Sequence, residues 1–201
     1  MKIIFLLLNL ITKLDFFFVK RKFINIGSNV KVGYLPTICN PNYFSFGSNI
    51  IIGNKVTLLA IDNDLVSKRN PKLTLGSNIY IGHSVSIHCM NEVELQNNVV
   101  LSDNIYISDV SHGIKIELNK SIMEQPWESH GKVIIGEGTF LGHGVKVLPN
   151  VVLGKYCIVA SGSIVTKSFP DYTMLSGIPA KAIKTYCFKQ EKWLKINESN
   201  V

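Results

Sequence analysis

Apolar residues in this chain return every six positions, a period that fits neither an α-helix nor a simple alternating strand. Each unit opens on an aliphatic residue, continues with a small residue that is often glycine and then two polar ones, and returns to a small or β-branched side chain, as in Phe46-Gly47-Ser48-Asn49-Ile50 and Leu75-Gly76-Ser77-Asn78-Ile79. The leading positions are Ile26, Val32, Ile38; Phe46, Ile52, Leu58; Leu75, Ile81, Ile87; Leu95, Leu101, Ile107; Ile135, Leu141, Val147; and Leu153, Val159, Val165. All but Phe46 are Ile, Leu or Val. Six residues make one short strand and a corner, with the leading side chain pointing inward and the small residue placed where the backbone turns. Three units close one coil, so the pattern predicts an all-β solenoid, a parallel β-helix of about six coils.

Successive coils start 20, 29, 20, 40 and 18 residues apart, and every excess over 18 falls after the third unit. All insertions therefore emerge near one corner, and insertions on one side of a solenoid build its binding face. Two are large: 59–74, with Asp62, Asp64, Lys68, Arg69 and Lys72, and 108–133, with His112, Pro126, Trp127 and His130. The expected organisation is an N-terminal apolar and basic helix over 1–25, the β-helix over 26–170, and a tail over 171–201. Within the tail, 186–197 reads as a short amphipathic helix that packs Phe188 and Trp193 back on the prism.

Residues 1–23 are the most hydrophobic stretch, but the unbroken apolar run covers only Ile3 to Leu8, and Lys13 and Asp15 interrupt the remainder of the segment. That is short of the roughly 20 apolar residues of a membrane span, and no small-residue cleavage site comes after it. Two placements stay open for this helix: capping the end of the prism, or lying on the inner membrane face with Lys20, Arg21 and Lys22 against anionic lipid.

Composition adds a sign and a compartment. The 201 residues are 46% apolar and 17% charged, enough to bury a core, and the formal charge is +7. Of the 21 basic residues only Arg21 and Arg69 are arginine, which argues against base reading and a nucleic-acid partner. Cys39, Cys89, Cys157 and Cys187 are widely spaced, as expected of reduced thiols in a cytoplasmic protein.

Over about residues 26–185 the hexads resemble the left-handed β-helix acyltransferases. The closing segment sharpens this: Ile135-Gly136 through Phe140-Leu141-Gly142, then Gly162-Ser163-Ile164-Val165-Thr166-Lys167 and Gly177-Ile178-Pro179-Ala180-Lys181, is similar to the galactoside, maltose and polysaccharide (O-antigen or capsule) O-acetyltransferases. The resemblance implies a left-handed coil, acetyl-CoA as acyl donor with no metal, a carbohydrate acceptor, and a homotrimer with sites between subunits. Phe140 stands where that family often has Trp.

Acetyl transfer to a hydroxyl needs a base, and histidine suits neutral pH. His112, in Asp109-Val110-Ser111-His112-Gly113, lies where the related enzymes carry their catalytic His, with Asp109 a candidate to orient it or to serve structurally. Asn91, one coil earlier, and Trp127 are candidates for acceptor contact, Trp127 by stacking on a sugar face. Backbone amides around Gly142 are candidates for the oxyanion. By the same resemblance, cofactor contacts fall on Gly142, His143, Ser161, Thr166, Lys167, Lys181 and Lys184, the last two facing the CoA phosphates. Two alternatives keep the scaffold: N-acetylation of an amino sugar, and a zinc site like that of the β-helical carbonic anhydrases, suggested by the spacing of His83 and His88 but lacking an upstream third histidine.

Overall fold

The computed structural model describes residues 2–63 and 67–196, the side chains of 2–6 and 9 excepted. Asp64 and Asn197, two positions of the sequence expectations, lie outside them. The hexads fold into a three-sided prism whose strands stack in parallel, one coil above the next. On the first face Ile26 lies beside Phe46, Phe46 beside Leu75, Leu75 beside Leu95, Leu95 beside Ile135, and Ile135 beside Leu153. On the second face the row is Val32, Ile52, Ile81, Leu101, Leu141 and Val159; on the third, Ile38, Leu58, Ile87, Ile107, Val147 and Val165. The register thus joins leading residues of the same face, coil for coil, as the period predicts. From the second coil onward every leading side chain is at most 2% exposed, so the aliphatic row is itself the core.

The corners explain the polar positions. Three residues past each leading residue of the first face, the backbone turns through the left-handed region, at Asn29, Asn49, Asn78, Asn98, Gly138 and Tyr156. Asparagine tolerates that conformation better than other side chains, and here it is reused: the Asn29 amide donates to Asn49, Asn49 to Asn78 and Asn78 to Asn98, at 3.0, 3.1 and 3.2 Å. The glycine after a leading residue answers to spacing between coils. A Cβ on Gly136 would press on the carbonyl carbon and oxygen of Gly154 in the next coil. Gly136→Ala should therefore cost about 1–3 kcal/mol, read as a lower denaturant midpoint with an unchanged slope.

Two expectations at the C-terminal end need correction. The coil does not stop at residue 170: Phe169 bridges in parallel to Leu153, and Thr173–Gly177 pairs in parallel with Ile158–Val159, Leu175 lying beside Val159. Tyr172, three residues past Phe169, takes the left-handed turn as its counterparts do, and its ring stacks on Tyr156. A partial seventh coil therefore tops the prism. The tail is also not helical. Ala180–Cys187 runs antiparallel to Thr173–Gly177, and Lys192–Lys195 antiparallel to Ala180–Cys187. An open edge of the second face was available, and a segment rich in β-branched and aromatic residues pairs with it more readily than it forms an isolated short helix. Phe188 reaches back to the prism through an edge-on contact with Tyr172, whereas Trp193 meets Tyr186 within the tail.

At the other end the helix Lys2–Val19 and the turn Lys20–Lys22 close the first coil. Thr12 is buried, Phe16 and Val19 pack on the core, and Phe23 meets Phe44 and Phe46 edge-on. The large insertions leave at the corner between the third and first faces, where the sequence placed them.

Candidate functional site

The longer insertion begins as the third-face strand Tyr106–Ser108 ends, and its two arms form a ribbon. Val110–His112 pairs antiparallel with Trp127–Ser129, with His112 opposite Trp127. The Gly113 amide donating to Pro126 O extends the pairing by one step. The rings of His112 and Trp127 meet edge-on with centroids 5.7 Å apart. Beside them is a cavity of about 290 Å³, floored by third-face residues Leu59, His88 and Tyr106 and walled by Ile61, Val110, Ser111, His112 and Trp127. His112 is exposed and borders this cavity. The structure thus joins His112 and Trp127, which lie fifteen positions apart in the chain.

Asp109 fixes the root of the ribbon. Its carboxylate is fully buried and accepts three backbone amides of the preceding coil: Met90 at 2.7 Å, Asn91 at 2.8 Å and Glu92 at 2.7 Å. Burial pushes this carboxyl above its ordinary range while the three amides pull it back. Of the two roles the sequence left open for Asp109, these three bonds support the structural one. The same bonds hold the Asn91 backbone at the corner from which the ribbon rises, with the Asn91 side chain exposed there.

His88 and Tyr106 were not assigned to this cavity from the sequence. Their rings are edge-on at 5.3 Å, and His88 lies in register with Leu59 below and Ser108 above. A signal was present: on the first two faces a small residue usually comes after the leading one, whereas on the third Leu59 and His88 continue the strand with larger side chains. Desolvation lowers the His88 pKa below 6.5, so the folded state favours the neutral ring. A depressed histidine contributes stability above its unfolded value and loses it as pH falls through that value toward the folded one. Stability should therefore decline below pH 6.5, and His88→Gln should flatten that decline in denaturant titrations across pH.

The zinc alternative meets a different geometry. His83 sits at the corner between the second and third faces, where its Nδ1 accepts the Asn54 amide at 2.9 Å. Among the described residues no three His, Cys, Asp or Glu side chains converge to hold a metal ion. The four thiols are unpaired, and burial pushes Cys89 up to about 12 and Cys157 up as well, which leaves both unreactive.

The cofactor candidates are spread over the prism. Gly142, His143 and Ser161 come together at the corner between the second and third faces, where the Gly162 amide donates to His143 O across successive coils. The amide of Gly142 is spent on Val159 O and that of Gly144 on Asp103 O, so neither is free for an oxyanion. Thr166 and Lys167 are exposed just beyond the third-face strand of the sixth coil, with Lys167 5.7 Å from the Phe169 ring centroid. Lys181 is exposed and Lys184 half-buried on Ala180–Cys187. A single chain therefore keeps His112 at one corner and the Gly142–His143–Ser161 group at another.

Comparison with known proteins agrees with this architecture. Residues 132–167 match the model of the bacterial transferase hexapeptide (six repeats). The chain is 27% identical to WbbJ of Escherichia coli K12, whose assigned role is O-acetyl transfer in lipopolysaccharide biosynthesis, over 79% of this chain and 80% of that one. It is 27% identical to the galactoside O-acetyltransferase of the same organism, over 87% and 73% of the two chains. Among solved structures, AntD of Bacillus cereus, an N-acyltransferase crystallised with dTDP and coenzyme A, superposes with a TM-score of 0.70 over 85% of this chain and 88% of its own, at 22% identity. That likeness is one of fold. Residues 132–167 thus carry the bacterial transferase hexapeptide repeat, and over most of its length the chain is similar to O-acetyltransferases built on that repeat.

Proposed function

We propose that this protein transfers acetyl from acetyl-CoA to a hydroxyl of a sugar or surface glycan, with His112 as the general base. One observation carries the reading: an exposed imidazole on a braced ribbon, edge-on to an indole, beside a cavity of about 290 Å³. The acceptor sugar lies against Trp127, whose ring offers a face to the C–H side of a pyranose. His112 takes the proton of the acceptor hydroxyl as its oxygen bonds to the thioester carbonyl carbon. The tetrahedral intermediate then expels the CoA thiolate, which takes the proton back from the imidazolium. His88 and Tyr106, on the cavity floor, supply further polar groups for the acceptor, and Asn91, at the corner from which the ribbon rises, is a further candidate for acceptor contact.

His143, Ser161, Thr166, Lys167, Lys181 and Lys184 hold the donor in this reading, the lysines meeting its phosphates as point charges. Because His112 and the His143–Ser161 group sit at different corners of one prism, a complete site takes them from neighbouring copies of a homotrimer. An apolar row on the second face supports such association: Ile51, Tyr80, Val100 and Phe140 lie exposed in successive coils.

Acyl transfer to an amino sugar is the second reading, favoured by the fold likeness to an N-acyltransferase. The deciding experiment incubates purified protein and acetyl-CoA with matched hydroxyl and amino sugars, as free glycosides, nucleotide sugars and polysaccharide repeats. Thiol release that depends on a hydroxyl acceptor, with an alkali-labile product, supports O-transfer. An alkali-stable amide overturns it in favour of N-transfer, and release with neither class overturns both.

A further inference from the structure

The N-terminal helix has more apolar surface than the prism covers. Its inner side, through Thr12, Phe16 and Val19, closes the first coil. At 100° per residue, Leu7, Leu10, Ile11, Leu14, Phe17 and Phe18 fall within an arc of about 120° elsewhere on the helix, and each is 45–59% exposed. Six large apolar side chains in one stripe amount to an unpartnered face. Cations sit at its end: the Arg21 guanidinium is 4.5 Å from the Phe17 ring centroid and 5.7 Å from that of Phe18, and the Lys20 ammonium is 5.2 Å from Phe17.

A second feature lies beside the stripe. Between the helix and the first coil is a cavity of about 700 Å³, lined by Lys13, Lys20, Arg21 and Lys31 together with Phe16 and Phe17. No carboxylate is among the described residues lining it. Four positive side chains over an apolar floor match a phosphate whose attached chains are hydrocarbon. No helix of the described residues is long and apolar enough to cross a membrane, so burying the stripe in lipid means lying in the surface.

We propose that the helix Lys2–Val19 lies in the plane of an anionic phospholipid surface, its stripe among the acyl chains and its groove of Lys13, Lys20, Arg21 and Lys31 on the lipid phosphates. A second copy is the poorer occupant, because its apolar stripe would cover this one but leave the four cations of the groove without a counter-charge. Each basic side chain near such a surface strengthens binding about five-fold, and salt weakens it.

Flotation of the full-length protein with vesicles tests this. The expected result is flotation with phosphatidylcholine mixed with phosphatidylglycerol, little with phosphatidylcholine alone, and release as sodium chloride rises. Leu10→Glu with Leu14→Glu should abolish flotation, and Lys13→Glu with Lys31→Glu should reduce it by an order of magnitude or more, both at unchanged melting temperature because these side chains are exposed. Equal flotation on neutral vesicles, or none on anionic ones, overturns the proposal. So does a Leu10→Glu, Leu14→Glu protein that floats normally but has lost self-association by light scattering. The proposal is independent of the transfer chemistry, and His112→Ala should float like the parent.

Discussion

Replacing His112 with alanine should lower acetyl transfer by roughly 10²–10⁴-fold, the usual contribution of a positioned general base, and leave the fold intact. The asymmetry comes from where the residue sits. Its side chain is exposed, and its ring meets Trp127 only edge-on, so the stability change should stay within about 0.5 kcal/mol. Coenzyme A release with a fixed acceptor measures the first quantity and thermal unfolding the second. Activity within a few-fold of the parent would remove His112 from the mechanism. A comparable loss accompanied by a large drop in melting temperature would assign it a structural role.

Asp109→Ala should show the opposite pattern. Three amides, those of Met90, Asn91 and Glu92, would lose a buried charged acceptor at once. At about 1–3 kcal/mol for each unsatisfied group, partly relieved by rearrangement, the loss is about 4 kcal/mol, toward the rare end for one substitution. For a chain of this size that lowers the melting temperature by roughly 8–16 °C. Activity should fall with it, because the ribbon carrying His112 is rooted in these bonds. Asp109→Asn keeps one accepting oxygen and should be intermediate in stability. If Asp109 instead orients the imidazole, Asp109→Asn will reduce turnover at unchanged stability. Melting curves and turnover on the same preparations separate the two roles.

The prism was legible because one physical requirement repeats: each leading residue must fill the same narrow interior, and each corner must turn in the same way. Even the insertions declared their corner through the uneven spacing of coil starts. The position of His112 beside the cavity was legible for a related reason, because it comes where a regular coil gives way to its longest loop. For Asp109 a structural role was open from the sequence but its partners were not legible, because they lie 17 to 19 residues back and come within reach only when one coil settles on another. His88 was hidden by attention to the inward row, since its value lies in facing outward beside Tyr106. The tail misled for yet another reason. Residues 180–195 carry no strong period, and their pairing was decided by the edge left open by Thr173–Gly177.

The way the prism ends has a consequence for solubility. A stack of parallel strands spaced about 4.8 Å apart has the geometry of a fibril core, and each free end is a template on which another chain can add. This protein blunts both ends by different means. At the N-terminal end the helix Lys2–Val19 and the Phe23 ring lie across the first coil. At the other end Phe169 comes only four positions after Val165, short of the six-residue step, and the second-face edge is taken by antiparallel strands bearing Lys181, Lys184, Lys192 and Lys195. The two appendages that depart from the six-residue rule therefore act as chain terminators. A form lacking either should be judged first by its tendency to grow into filaments.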